Sequence, residues 1–274
     1  MPAHVPSVSV DADEALYFFC LVQTPPWPLD HEGMSGHRVR LLALGDALTA
    51  LVDVVKQRAW TGPEAEANMQ SLEWVGARAT LHEEVVEAAM EHGPVYPARF
   101  GTLYSSEARL RETVGQHRSI INAFMDEVDG ADEWALKVFV DRDQAAAAVT
   151  APASDEDEDV PASGTAYLKQ KQREQRARTT VDSWLHEVSD AMHTKLRAAP
   201  VRNVEVLDPS RAVLAAPDDA LAFNWALLVD RAQRDALRTQ VQQFEAEYGE
   251  RGLSFRLTGP WPPYTFRPLM STDA

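Results

Sequence analysis

Apolar positions along this chain fall at two periods, and the switches between them predict its elements. Residues 15–22 are almost wholly apolar and include Tyr17, Phe18 and Phe19, which predicts a buried strand. Residues 23–32 are read as a loop because of Pro25, Pro26 and Pro28, and Gly33-Met34-Ser35-Gly36 as a flexible turn. Residues 39–44 and 48–55 predict a hairpin turning at Gly45-Asp46, with a short helix as the alternative for 47–55. Beyond Gly62-Pro63 the period becomes helical. Val75, Ala79, His82 and Val86 mark a helix over 65–92, and Leu110, Val114, His117, Ile121 and Phe124 mark another over 105–128.

Between those helices lies Gly93-Pro94-Val95-Tyr96-Pro97-Ala98-Arg99-Phe100-Gly101. Pro94 and Pro97 lack an N–H and clash with a preceding turn, so the segment is extended. Val95, Tyr96 and Phe100 are there to be buried, with Arg99 among them, and Gly101 is expected to end the strand where a Cβ would not fit.

The second half reads more regularly. Trp134, Leu136, Val138 and Val140 alternate as a strand, and 141–149 opens a helix. Pro152, Pro161 and the run Asp155-Glu156-Asp157-Glu158-Asp159 then make 151–163 an acidic, solubilising, flexible insert, and replacing 152–162 by a short linker should leave the thermal midpoint nearly unchanged. Val181, Trp184, Leu185, Val188, Met192 and Leu196 stripe a long helix over 165–198 that Pro200 stops. Strand pieces at 203–206 and 212–216 flank a turn at Asp208-Pro209. A strand through Phe223, Trp225, Leu227 and Val229 follows, then a helix over 231–249 and a last strand through Leu253, Phe255 and Leu257. Gly259 to Pro263 turns the chain. From Trp134 the order is thus strand, helix, strand, strand, helix, strand, the split βαβ or ferredoxin-like arrangement. The expected fold class is α+β, with an N-terminal α+β domain over 1–132 and a C-terminal ferredoxin-like (βαββαβ) domain over 133–274.

Charge adds one constraint. The 42 acidic and 26 basic side chains leave a net charge of −16, which repels nucleic acid phosphates. The densest basic run, Lys169 to Arg178, is a solvated helix face or a docking face for an acidic partner. Cys20 is the sole cysteine, so no internal disulfide or cysteine zinc site forms, in keeping with a reducing cytoplasm. No basic n-region precedes an apolar core, so no signal peptide is expected, and the apolar runs fall short of the ~20 residues that span a bilayer.

Three stretches carry a family resemblance. Pro97-Ala98-Arg99-Phe100-Gly101-Thr102 resembles the P-x-R-F-G-T signature of the GvpF/GvpL gas vesicle proteins. Gly164-Thr165-Ala166-Tyr167-Leu168 is similar to that family's G-x-x-Y-L helix opening, and Gly259-Pro260-Trp261-Pro262-Pro263-Tyr264 to its GPWPPY ending. Residues 1–80 resemble the family only loosely. The resemblance implies an N-terminal α+β and a C-terminal ferredoxin-like domain. It also implies a cytoplasmic, non-enzymatic factor, associated with gas vesicles, that binds the hydrophobic shell protein GvpA and other gas vesicle accessory proteins. Pro97, Arg99, Phe100, Gly101, Tyr167, Leu168, Trp261 and Tyr264 are its motif residues and candidate partner contacts.

Candidate chemistry is sparse. His82-Glu83-Glu84-Val85-Val86 begins like the zinc protease motif H-E-x-x-H, but Val86 occupies the second histidine position, so His82 is read as a hydrogen-bonded histidine on a helix face. Asp218-Asp219 beside Pro217 is turn chemistry. Arg99 is expected to pair with a carboxylate, which it needs if it alternates inward, either as an ion pair tying strand to helix or as part of a partner site. Trp261 between prolines either locks a strand onto the core or offers a rigid knob to a partner. No cofactor, phosphate or nucleophile motif is present. The first reading is therefore an assembly protein, with the long helix from Thr165 as candidate carrier of exposed apolar anchors. The alternative is a ferredoxin-like ligand-binding protein or enzyme.

Overall fold

The computed structural model describes residues 8–23, 29–45, 47–149, 164–198, 201–208 and 220–270. The acidic insert, the strand piece at 212–216, Pro209 and Asp218-Asp219 lie outside them. The chain is mixed α+β with two sheets and forms two compact units, Met1–Asp132 with Trp261–Ala274, and Glu133–Pro260. The C-terminal segment from Trp261, expected in the second domain, thus belongs to the first unit.

The first unit is organised around β1 (Glu14–Gln23). Its run of apolar side chains is buried, as the unbroken composition predicts, and on both faces. β2 (Arg40–Ala43) and β3 (Leu48–Lys56) form the expected hairpin, and β3 pairs antiparallel with β1 from Glu14↔Lys56 to Gln23↔Leu48. β4 (Val95–Pro97) and β5 (Leu103–Tyr104) share the other edge of β1. The sheet order is β2-β3-β1-β4, with β5 also on β1.

The helices are more broken than their periodicity suggests. α1 (Pro63–Gln70) stops at Ser71, whose Oγ accepts from the Trp74 N–H at 3.2 Å and so caps α2 (Leu72–Met90). α3 (Glu107–Gln116) and α4 (Arg118–Val128) part at His117, whose φ of −105° and ψ of 9° leave the helical region. At His117 the stripe Leu110, Val114, Ile121 and Phe124 continues across the break, which is why the sequence reads as one helix there, whereas α1 buries only Ala65.

The second unit contains β6 (Ala131–Val140), which starts at the boundary, then α5 (Arg142–Val149), α6 (Gly164–Ala198), β7 (Val201–Val206), β8 (Ala220–Asp230), α7 (Arg234–Tyr248) and β9 (Leu253–Trp261). The sheet order is β7-β8-β6-β9, and β7 and β8 are antiparallel. Val181, Trp184, Leu185, Val188, Met192 and Leu196 of α6 are all buried against it with Trp134, Leu136, Trp225, Leu227 and Phe244. β9 runs through Gly259 and Pro260 to Trp261, further than the expected turn. Among the described residues no helix is long and apolar enough to cross a membrane.

Candidate functional site

The signature stretch Pro97 to Thr102 sits in the first unit as a loop held at both ends by one edge of β1. Pairing runs Cys20↔Pro97 and resumes at Tyr17↔Leu103, so three steps along β1 are matched by six along the motif. The surplus is looped out, while the Ala98 N–H donates to the Phe19 carbonyl at 2.8 Å and the Phe18 N–H to the Thr102 carbonyl at 3.0 Å. A strand read by alternation would turn Arg99 inward. Because Arg99 lies in the looped-out part, its side chain is exposed instead.

A buried histidine–tyrosine pair fastens this loop. His82 on α2 is 2% exposed, with Nε2 3.2 Å from the Ala98 carbonyl and Nδ1 2.9 Å from the Tyr17 hydroxyl. A carbonyl only accepts, so Nε2 carries the proton and Nδ1 accepts from Tyr17. The Tyr17 oxygen in turn accepts the Gly101 N–H at 3.2 Å. Backbone groups at both ends of the Ala98 to Gly101 turn are thereby satisfied inside the core. Phe100 leans on the same pair, its ring centroid 5.5 Å from Trp60 and 6.1 Å from His82.

Glycine at 101 is required by its φ of 81°, which a side chain resists, and not by crowding: a Cβ there would meet nothing within 4 Å. This corrects the expected reason for that residue.

Burial holds the His82 pKa down to about 4, partly offset by the Ala98 carbonyl, so the imidazole is neutral near pH 7. Burial likewise raises the Tyr17 hydroxyl well above its ordinary value. Both imidazole nitrogens are engaged, so the pair is a structural lock and not an open acid or base. Val86, at the second position of the half zinc motif, is fully buried in the core. Among the described residues no group of three His, Cys, Asp or Glu side chains is placed to hold a metal ion.

The GPWPPY ending reaches the same lock. The Tyr264 hydroxyl donates to Glu83 Oε2 at 3.0 Å, and its ring stacks 6.5 Å from His82. Burial raises the Glu83 carboxyl above the usual range, with the Tyr264 donor working against that shift. The Tyr96 hydroxyl donates to the Pro268 carbonyl, and Arg267, itself buried, donates to the Tyr96 oxygen at 3.3 Å. Trp261 is 39% exposed.

The candidate residues therefore divide. Pro97, Phe100, Gly101 and Tyr264 come together with Tyr17, His82 and Glu83 around β1, while Arg99 and Trp261 face outward. Tyr167 and Leu168 lie in the first turns of α6, and their side chains are outside the described residues. Sequence reasoning missed Tyr17 and Glu83 as partners, because separations of 65 and 181 residues carry no local signal. The solvent side of α6 over 175–197 is Gln, Arg, Thr, Asp, Ser, His, Glu and Lys, so that helix does not supply the expected exposed apolar anchors there.

The fold and the three motifs agree with comparisons to known proteins. The family model of the gas vesicle synthesis protein GvpL/GvpF matches residues 15–268. The chain is 27% identical over 247 residues to gas vesicle protein L of a Streptomyces strain, covering 90% of this chain and 89% of that one. It is 25% identical over 253 residues to gas vesicle protein F1 of Halobacterium salinarum, covering 92% of each. The crystal structure of GvpF from Anabaena superposes with a TM-score of 0.66 at 20% identity, covering 93% of this chain and 97% of that one. That of GvpF from Microcystis aeruginosa gives 0.66 at 18%, covering 93% and 99%. The match across nearly the whole chain, with the signature loop built into the centre of the first unit, shows that this chain belongs to the GvpL/GvpF family of gas vesicle synthesis proteins.

Proposed function

We propose that this chain is a non-enzymatic gas vesicle assembly factor that binds the hydrophobic shell protein GvpA and other gas vesicle proteins in the cytoplasm while vesicles form. The observation that carries this reading is a set of large apolar side chains left in solvent on a strongly acidic protein. Leu72 is 90% exposed, Val206 67% and Leu269 62%. A binder of a sticky subunit needs such anchors, because a few apolar or aromatic side chains supply most interface energy. Surrounding negative charge keeps the complex in solution. Of the motif residues, Arg99 and Trp261 are the outward contacts in this reading, with Tyr167 and Leu168 as further candidates. Pro97, Phe100, Gly101 and Tyr264 hold the frame.

The second unit is, in the same reading, a ferredoxin-like domain. Its element order and its sheet order β7-β8-β6-β9 support this, as the second, third, first and fourth strands of that unit lie side by side. The test is co-expression with the shell protein, followed by affinity capture and a melt of each variant. Leu72→Glu combined with Leu269→Glu should lower capture with an unchanged melting temperature. Undiminished capture by that variant would reject the reading.

A further inference from the structure

A cleft of about 570 Å³ in the second unit and one of about 510 Å³ in the first are present; the latter is chemically the more pointed. It lies where the hairpin, the turn after β3 and α2 of the first unit meet. Met34, Val55 and Trp60 give it an apolar floor, and Arg40 from β2, Lys56 from β3 and Arg78 from α2 line it. A chain of net charge −16 thus converges three cations from three separate elements on one concave surface.

The rim is a built feature. Asp53 is fully buried, and its carboxylate accepts the Ser35 N–H at 2.7 Å, the Ser35 hydroxyl at 3.0 Å and the Val54 N–H at 2.8 Å. Those bonds hold the glycine-rich turn over β3, with the Asp53 carboxylate fully buried beneath Ser35. Gly33 is needed for this approach, because a Cβ there would stand 2.5 Å from Asp53 Oδ2. The expected flexible turn is therefore a fixed wall.

The charge inside the wall is only partly spent. Lys56 is held by Asp13 and Glu14, both at 3.1 Å, and Glu14 is the only carboxylate among the lining residues. Arg78 is half-buried, lies 4.1 Å over the Trp74 ring and gives a long 3.4 Å bond to the Trp74 carbonyl. Among the described residues neither Arg40 nor Arg78 has an ion pair. A guanidinium presented beside apolar and aromatic surface, with its fork open, matches a carboxylate attached to an apolar chain.

We propose that this cleft docks an extended acidic segment of a partner protein, its carboxylates on Arg40 and Arg78 and an intervening apolar side chain on Met34, Val55 and Trp60. The spread of the cations over three elements favours an extended segment over a single small anion. The net negative charge of the chain weighs against nucleic acid. This inference does not rest on shell-protein binding, which draws on exposed apolar anchors elsewhere.

The probe is a fluorescein-labelled twelve-residue peptide alternating Glu and Leu, titrated by fluorescence anisotropy against the full chain at fixed salt. Saturable binding is expected, weakened at least about tenfold when Arg40→Gln and Arg78→Gln are combined, the scale of losing charge-assisted hydrogen bonds. Each single variant should weaken it less. A Gln-Leu peptide should not bind, and Lys171→Gln with Arg176→Gln on α6 should leave the affinity unchanged. Circular dichroism melts establish that the variants fold, and Arg40→Gln alone serves if Arg78→Gln does not. Failure of the peptide to bind overturns the proposal, as does binding that survives the cleft variants or is lost with the α6 variant. Tighter cleft-dependent binding of oligo-dT would equally overturn it.

Discussion

The two units bury their interiors by different means. The second rests on apolar packing: strands β6 and β8 and helices α6 and α7 each give a face to a core of Val, Leu, Trp and Phe side chains, and Ala226 and Leu228 on the other face of β8 are buried as well. The first buries a whole strand and, with it, polar groups. Tyr17, His82 and Asp53 are all at most 2% exposed, and each is satisfied by hydrogen bonds that span long stretches of sequence. An apolar core loses stability gradually as its contacts are trimmed, whereas a buried polar network fails when one member is left unpaired. The family signature lies in the unit of the second kind and is fastened by that network.

The sharpest way to break the comparison is to cut the chain after Pro260. The second unit keeps all of its own residues. The first loses the Tyr264 bond to Glu83, the Pro268 carbonyl that accepts from Tyr96, and the buried Arg267 and Met270. The Glu83 carboxyl and Tyr96 hydroxyl would lose these bonds while the second core keeps all of its residues. Hydrogen exchange followed by mass spectrometry should show residues 8–132 losing protection and residues 133–260 keeping it. Protection retained throughout would show that the tail contributes nothing to the first unit.

This contrast also sets what could be read from the sequence. The second unit was legible because period 2 and period 3.6 are local signals, and the buried faces of β6, β8, α6 and α7 fall where those periods place them. β1 was legible from its unbroken apolar run and the hairpin from the turn at Gly45-Asp46 between two apolar runs, signals equally local. The lock around Pro97 to Thr102 was not. Alternation assumes continuous pairing, and the looped-out residues break it, which misdirected Arg99. The helix break at His117 was hidden because an apolar stripe continues across it, and that at Ser71 because neither Gly nor Pro marks it. The return of Trp261 to the first unit depends on Tyr264 meeting Glu83, a pairing 181 residues apart that no local rule detects.

The next test acts through protons. His82 has a folded pKa of about 4 against an ordinary 6.5, so the unfolded chain binds the extra proton between those values. The stability this neutral imidazole contributes is therefore complete above about pH 6.5 and is lost as pH falls toward 4. The full difference corresponds to about 3 kcal/mol as an upper figure. Glu83 works the other way: its raised carboxyl pKa favours the protonated form in the fold, and that contribution is lost as pH rises above its ordinary 4.5. Comparison with His82→Gln isolates the histidine, because an amide can still donate to Ala98 and accept from Tyr17. First-unit protection in the wild type should fall more steeply from pH 6.5 to 4 than in that variant, while protection of the second unit follows the same curve in both. Parallel curves in the first unit would mean that His82 is not held neutral. His82→Ala should cost about 3 kcal/mol at pH 7, since it opens a cavity and leaves a buried hydroxyl and carbonyl unpaired.

The smallest expected effects come from two glycines, one in each unit. Gly101 and Gly252 both have positive φ, 81° and 90°, so a side chain strains the backbone at either place. They differ in the space around them. A Cβ at Gly101 meets nothing within 4 Å, so Gly101→Ala should cost only the dihedral term, about 1 kcal/mol. A Cβ at Gly252 would stand 2.9 Å from the Asp141 carbonyl oxygen and 3.0 Å from the Ala145 nitrogen, both backbone atoms at the start of α5. Those atoms cannot rotate away as a side chain would. They are also tied down, because the Asp141 N–H donates to the Gly252 carbonyl at 2.8 Å and the Ala145 N–H to the Asp141 carbonyl at 2.9 Å. Gly252→Ala should therefore cost about 2 kcal/mol or more, adding a steric displacement to the same dihedral strain. Denaturant titrations of the two variants, followed by exchange in each unit, give both values. If Gly101→Ala proves the more damaging, the loop it closes has less room than its geometry indicates, and crowding rather than φ would be the reason for glycine in the signature.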